Sequence, residues 1–209
     1  MNGLSGADII GRLERLGAAE AALRGDHDHP GVPRHAGPYR EAAVLVPIVE
    51  RPEGLTILLT KRTDHLADHA GQISFPGGRI EDDDPNPEFA ALREAREEIG
   101  LLSEKVRLVG RLDFYRTVTG FNITPVVGLV APDHILTLDP FEVAAAFEVP
   151  LTFILDPANH VVQTRELHGR QRSHYVLPYL DWYIWGATAG MLVNLAQVLN
   201  GTVGETARA

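Results

Sequence analysis

The chain has 209 residues, 44 % hydrophobic and 22 % charged, which is enough apolar material for one decorated domain with a sizeable core. A formal charge of −9 excludes a basic nucleic-acid-binding surface, and the absence of cysteine excludes disulfides, thiolate zinc sites and a cysteine nucleophile. No apolar run reaches the roughly 18 residues of a membrane span, and the N-terminus opens on Asn2, Gly3 and polar residues, so neither an anchor nor a signal peptide is expected and the cytoplasm is the expected location.

In chain order, residues 7–23 place Ile9, Ile10, Leu13, Leu16 and Leu23 at roughly helical spacing, with Gly25 as the stop. Residues 25–38, rich in Gly, Pro, Asp and His, read as an irregular linker, with His27 and His29 solvated in it. The apolar run 42–49, the turn 51–54 and the run 55–62 predict a hairpin. A long loop over 63–80 carries Phe75, Pro76, Gly77 and Gly78. A helix follows from Pro87 to Ile99: Asn86 suits the N-cap, Pro87 the first turn, Glu88 the positive end of the helix and Gly100 the stop. Strands are predicted at 106–112 and 122–130, and a short helical turn at 141–147. After a polar stretch over 156–173 come a strand at 174–180 and a C-terminal helix at 184–199. There is no internal repeat. The order predicts a mixed α/β or α+β domain over 39–200, preceded by a helix-and-linker extension (1–38) and followed by a flexible tail (201–209).

Glu94, Glu97 and Glu98 fall at i, i+3 and i+4 and so share one face of the predicted helix. Like charges at that spacing destabilise a helix by about 0.2–0.5 kcal/mol per pair, and a cation held between them reverses the sign. Hard carboxylate oxygens suit Mg²⁺ or Mn²⁺, ions that also hold substrate phosphates. Taken alone, such a run reads as a solvated charged face, and Arg93 with Glu97 makes an ordinary i, i+4 pair.

The neighbouring residues change that balance. Arg93, Glu94, Ala95, Glu97, Glu98, Gly100 and Leu101, following Gly77 and Gly78, resemble the Nudix box, with Asp84 near its usual upstream acidic position. The resemblance implies a small mixed sheet between helices and a metal-dependent pyrophosphohydrolase. It implies metal ligation by Glu94, Glu97, Glu98, the Gly78 carbonyl and, as a distal member, Glu142, whose other reading is a helix-start carboxylate. Catalytic roles fall to Glu94, Glu97 and Arg93. Upstream, Leu58, Leu59, Thr60, Arg62, Gly71, Phe75, Pro76, Gly77 and Gly78 resemble the signature of the coenzyme A pyrophosphatase branch. Thr63 replaces a Ser or Ala there, and Ala67 and Gly190 stand where arginines are usual. The substrate-binding expectation therefore rests on Arg62 and Phe75, with Arg79, Arg40 or Arg34 compensating for the lost guanidinium.

The expected reaction splits coenzyme A or an acyl derivative into 3′-phospho-AMP and a phosphopantetheine. Alternatives are hydrolysis of ADP-ribose or another nucleoside diphosphate derivative, and a non-catalytic nucleotide-sensing module. The expected partner is a small nucleotide, with no nucleic acid and no membrane, and a homodimer is the commonest assembly for such enzymes. His65 and His69 have the i, i+4 spacing of zinc ligands but sit in a loop-like region without a third ligand. Tyr115 and Arg116 read equally as nucleotide contacts and as an exposed hairpin end.

Overall fold

The computed structural model describes residues 4–17, 23–66, 69–167 and 170–202, so the tail beyond Thr202 and the Ala67 position lie outside the described residues. Strand β1 (Leu23–Gly25) follows helix α1 (Gly6–Gly17), and β2 (Arg40–Arg51) and β3 (Gly54–Arg62) form the expected hairpin. Short strands β4 (Ile73–Ser74) and β5 (Gly77–Arg79) precede α2 (Pro87–Ile99). Then come β6 (Val106–Arg111), β7 (Phe114–Arg116), β8 (Phe121–Val130), β9 (Val143–Pro150) and α3 (Leu151–Leu155). The chain ends in β10 (Val161–Leu167), β11 (Arg170–Tyr179), β12 (Trp182–Trp185) and α4 (Gly186–Asn200).

Nine strands make one mixed sheet, with β1–β7 and β2–β8 parallel and the other pairs antiparallel, and β10–β11–β12 form a second, antiparallel sheet. The central strands are apolar without interruption because both their faces are covered. Ala43, Leu45 and Val49 of β2 and Leu58 of β3 face α2 through Ala90, Ala91, Ala95 and Ile99. Val46, Ile48, Ile57 and Leu59 point the other way, into a core completed by Ile9 and Leu13 of α1 and by Leu192, Leu195 and Leu199 of α4. The fold is therefore mixed α+β, with helices on both faces of the sheet. Among the described residues no helix is long and apolar enough to cross a membrane.

Helix α2 forms as its residues dictate. Asn86 Oδ1 accepts from the Phe89 N–H at 2.8 Å, Pro87 opens the first turn, and Gly100 closes the helix at φ 67°, a left-handed conformation that favours glycine. Other expectations are corrected. Helix α1 stops at Gly17, and Leu23 lies in a strand registered with Phe114. Segment 141–147 is not a helical turn: its alanines enter β9, because pairing with β3 satisfies its backbone and sets Phe147 opposite Leu59. The loop 63–80 contains β4 and β5. The polar stretch 156–173 contains β10 and the start of β11, a hairpin whose charged side chains conceal its strand character, and residues 182–185 form β12, so α4 begins at Gly186.

Tyr115 is not an exposed hairpin end. It is buried, and its hydroxyl donates to Asp26 at 2.8 Å. The second oxygen of Asp26 accepts from the Val118 N–H at 2.8 Å, which anchors the segment read as a linker. Gly190 of α4 packs on this tyrosine: a Cβ there would lie 2.5 Å from Tyr115 Oη and 2.6 Å from Cε2. The arginine usual at this position is thus replaced by a close helix–ring contact. Gly190→Ala should lower the melting temperature by a few degrees, since overpacking costs about 1–3 kcal/mol against a helix-propensity gain of about 1 kcal/mol. A calorimetric scan showing a raised melting temperature would contradict this packing.

Candidate active site

The acidic face of α2 lies against the Gly77–Gly78 turn of β5. Glu98 is 4 % exposed, and its Oε2 accepts from the Gly77 N–H at 3.1 Å, while Arg62 Nη1 stands 3.6 Å from its Oε1. Burial pushes the Glu98 carboxyl up to about 8; Glu94 and Glu142 add to the rise, and the Gly77 N–H and Arg62 oppose it. Glu94 is also raised, chiefly by burial, with Glu97 and Glu142 adding and Arg93 opposing. Glu142 thus belongs electrostatically to the cluster. Its turn is held by Thr63, whose N–H donates to the Glu142 carbonyl at 3.0 Å and whose hydroxyl donates to the Phe141 carbonyl at 2.8 Å.

Glu97 stands apart, with its side chain 59 % exposed. Arg93 Nη1 donates to both Glu94 and Glu97 at 3.0 Å, and its Nε and Nη2 clasp Asp84 at 3.0 and 2.9 Å. Nη2 also donates to the Arg79 carbonyl at 3.1 Å. The Asp84 side chain is 1 % exposed, and the hydrogen bonds from Arg93 hold its carboxyl below the usual range. All three guanidinium nitrogens are therefore engaged within the chain, which makes Arg93 an organiser of the glutamates.

Among the described residues no three His, Cys, Asp or Glu side chains close into a ready-made ligand cage. The donor set nevertheless fits a hard divalent cation. Glu142 raises the proton affinity of both Glu94 and Glu98, Glu94 raises that of Glu98, and no thiolate or imidazole is among the three. Gly78 leaves the approach open, since a Cβ there would lie 2.6 Å from Glu94 Cδ. His65 packs on the Phe141 ring at 5.0 Å, and His69 bonds Gln72 at 2.9 Å from a left-handed backbone at φ 58°, which is not the helical pairing that zinc spacing requires.

Beside the turn opens a cavity of about 580 Å³, within the range of small-molecule sites. Arg62, Phe75, Gly78 and Arg79 line it, although Phe75 is buried in the core at 2 % exposure. Arg40 does not line it: its guanidinium covers the Phe121 ring at 4.0 Å and donates to the Thr119 carbonyl. Arg34 is exposed and away from it. Arg116 covers the Tyr39 ring at 4.6 Å. His29, read as solvated, instead lines the cavity, with its ring 4.5 Å from that of Tyr175. Sequence reading missed Arg165, Arg172 and His174, which line the same cavity from the β10–β11 hairpin. Their signal was an alternating charged strand inside a stretch read only as polar.

Because folding raises the Glu98 proton affinity, the native state holds more protons than the unfolded chain between about pH 4.5 and 8, so without divalent ions stability falls as pH rises through that window. Glu98→Gln should match wild type near pH 5 and exceed it in melting temperature near pH 8 in chelator. A gap that does not grow with pH would refute the burial of this carboxylate.

The sequence model of the NUDIX domain matches residues 39–170. A Cronobacter sakazakii protein named an uncharacterized Nudix hydrolase NudL is 44 % identical over 171 residues, covering 80 % of this chain and 86 % of that one. Its Escherichia coli K12 namesake is 42 % identical over the same length and the same shares. A solved Caenorhabditis elegans Ap4A hydrolase binary complex overlaps with a TM-score of 0.45 and 19 % identity, covering 54 % of this chain and 81 % of that chain. With the profile spanning most of the chain and relatives this similar, the protein belongs to the Nudix hydrolase family.

Proposed function

We propose that the chain hydrolyses the pyrophosphate bond of coenzyme A or its acyl derivatives, releasing 3′-phospho-AMP and a phosphopantetheine. The observation that carries this reading is the form of the cavity. One cavity is lined by Arg62, Arg79 and the Gly77–Gly78 turn, by Phe121, Ile123 and Met191, and by the cations of β10 and β11. A site for a bare diphosphate needs only the first part. A long ligand with an apolar arm and a further charge makes use of all of it. Two signature residues also meet here: Arg62 faces Glu98, and Phe75 lines the same cavity as Gly77 and Gly78.

In this reading Glu94, Glu97, Glu98, Glu142 and the Gly78 carbonyl hold the divalent ion, Mg²⁺ or Mn²⁺, which when bound neutralises phosphate charge and acidifies a water. Glu94 and Glu97, which share Arg93 Nη1, are the carboxylates to which this reading assigns the proton of the attacking water. Arg93 sets their orientation. Arg62 and Arg79 offer charge-assisted donors to phosphate oxygens along the cavity wall.

Glu97→Gln, Glu98→Gln and Glu142→Gln should each lower kcat by about 10²-fold or more, since lost metal ligands should cost at least as much as the 10–100-fold of outer-shell changes. Near wild-type turnover in Glu98→Gln would misplace the metal site. Excess chelator should abolish turnover, and Ca²⁺ should restore it poorly because it prefers a larger, looser oxygen cage. For the substrate, chromatography of products from coenzyme A, dephospho-coenzyme A and ADP-ribose is decisive. The expected result is 3′-phospho-AMP from coenzyme A; cleavage of ADP-ribose alone would overturn the coenzyme A reading and leave the family assignment intact.

A further inference from the structure

The part of the cavity lined by the separate β10–β11 hairpin carries charge that the hydrolysis of a diphosphate does not use. Arg172 and His174 lie two residues apart on β11 and so share one face of the hairpin, and Arg165 of β10 is registered opposite Arg172. Two guanidinium groups at directly opposed positions of a sheet repel each other, an arrangement that persists with least strain where an anion sits between them. All three side chains line the cavity. Nε of Arg172 and Nε2 of His174 are buried nitrogens with no hydrogen-bond partner, donors or acceptors with nothing to meet within the chain.

Nearby acids do not answer them. Asp26 is occupied by the Tyr115 hydroxyl and the Val118 N–H, and Asp28 accepts from the Gly25 N–H and pairs with His27. Glu166 lines the cavity but is exposed and alternates with Arg165 along β10. The wall is also braced from behind: the Ser173 N–H donates to the Pro30 carbonyl at 3.3 Å, and His29 packs edge-on to Tyr175. Burial holds His174 below the ordinary imidazole range, with Arg165 and His29 adding and Asp26 opposing.

We infer that Arg165, Arg172 and His174 form a subsite for a phosphate monoester that the substrate carries at a distance from the scissile pyrophosphate. This rests on the reading of the cavity as the site of a nucleoside diphosphate derivative, and it names the feature that the site selects. The ligand chemistry follows from the groups present. Arg165 Nη2 donates to the Tyr183 hydroxyl at 3.0 Å, and the remaining guanidinium N–H groups with the imidazole offer more donors than a carboxylate can accept, whereas a dianionic monoester has three oxygens to receive them. The subsite makes the enzyme discriminate by charge at the hairpin and leaves the acidic face of α2 to the bond that breaks.

The test reads binding rather than turnover. The full chain is titrated calorimetrically with adenosine 3′,5′-bisphosphate and with AMP, and the ratio of the two dissociation constants is compared across variants. Wild type should prefer the bisphosphate by about tenfold or more, the worth of one charge-assisted contact. Arg165→Gln, on the exposed strand, and Arg172→Gln should each reduce that ratio several-fold, and the double variant should bring it to about one, with melting temperatures reported for all three. A wild-type ratio near one, or a ratio retained in both single variants, overturns the subsite. The outcome is separable from the substrate reading: a ratio that depends on Arg165 and Arg172 in an enzyme that does not cleave coenzyme A supports the subsite and rejects coenzyme A, and cleavage with a ratio of one does the reverse.

Discussion

Helix α2 is docked by Ala90, Ala91, Ala95 and Ile99 against β2 and β3, and that docking drives Glu98, one turn from Ala95 and next to Ile99, beneath the Gly77–Gly78 turn. The helix cannot rotate Glu98 into water without withdrawing Ala95 and Ile99 from the core, where fully burying a large aliphatic side chain is worth about 1.5–3 kcal/mol. The local architecture answers to that carboxylate. The Gly77 N–H and Arg62 meet its oxygens. Gly77 itself sits at φ 156°, and a Cβ there would lie 2.6 Å from Val44 Cα, so the turn comes this close to β2 only without a side chain. A group that remains partly protonated near neutrality when nothing else neutralises it is a site biased toward a cation.

Arg93 solves the second part of the same electrostatic problem. Three glutamates on one helical face repel one another, and a solvated face would let them splay apart. Here Asp84 fixes the guanidinium from behind through two hydrogen bonds, and the freed Nη1 is shared by Glu94 and Glu97. The acids are thereby graded in depth, with Glu97 in solvent, Glu94 partly enclosed and Glu98 inside. Helix docking sets the depth of Glu98, and one ion pair between the loop before the helix and its middle holds Glu94 and Glu97 together.

Much of this was legible in the sequence. Helix α2 announced itself through Asn86, Pro87 and Gly100 because caps are local chemistry, and the β2–β3 hairpin through its apolar runs. The family followed from seven residues of the box. What escaped depends on long-range pairing. The alanines of 144–146 carry helical propensity, but β3 offers them a sheet edge. Asp26 and His29 looked like solvated linker residues because their partners, Tyr115 and Tyr175, are remote in sequence. Thr63 seemed a mild departure from a pattern, yet both its backbone and its hydroxyl hold the turn that presents Glu142. Position alone does not show which carboxylate is buried. Only the packing of the helix does.

The absent arginines take on a different meaning once the packing is known. A cation counted as lost at position 190 is exchanged for contact with Tyr115, and Tyr115 holds Asp26, which fixes the segment leading to His29 and Pro30. That segment lies on β11 and braces the strand bearing Arg172 and His174. A small residue in α4 and a set of cations on the hairpin are therefore linked through one chain of contacts. Within a molecule of net charge −9, this sets a cluster of positive charge on the cavity wall, where a low-dielectric surround strengthens its pull on an anion. In the proposed reading the acidic helix carries the hydrolytic chemistry, and the N-terminal segment with the β10–β11 hairpin supplies the shape and charge that select the substrate.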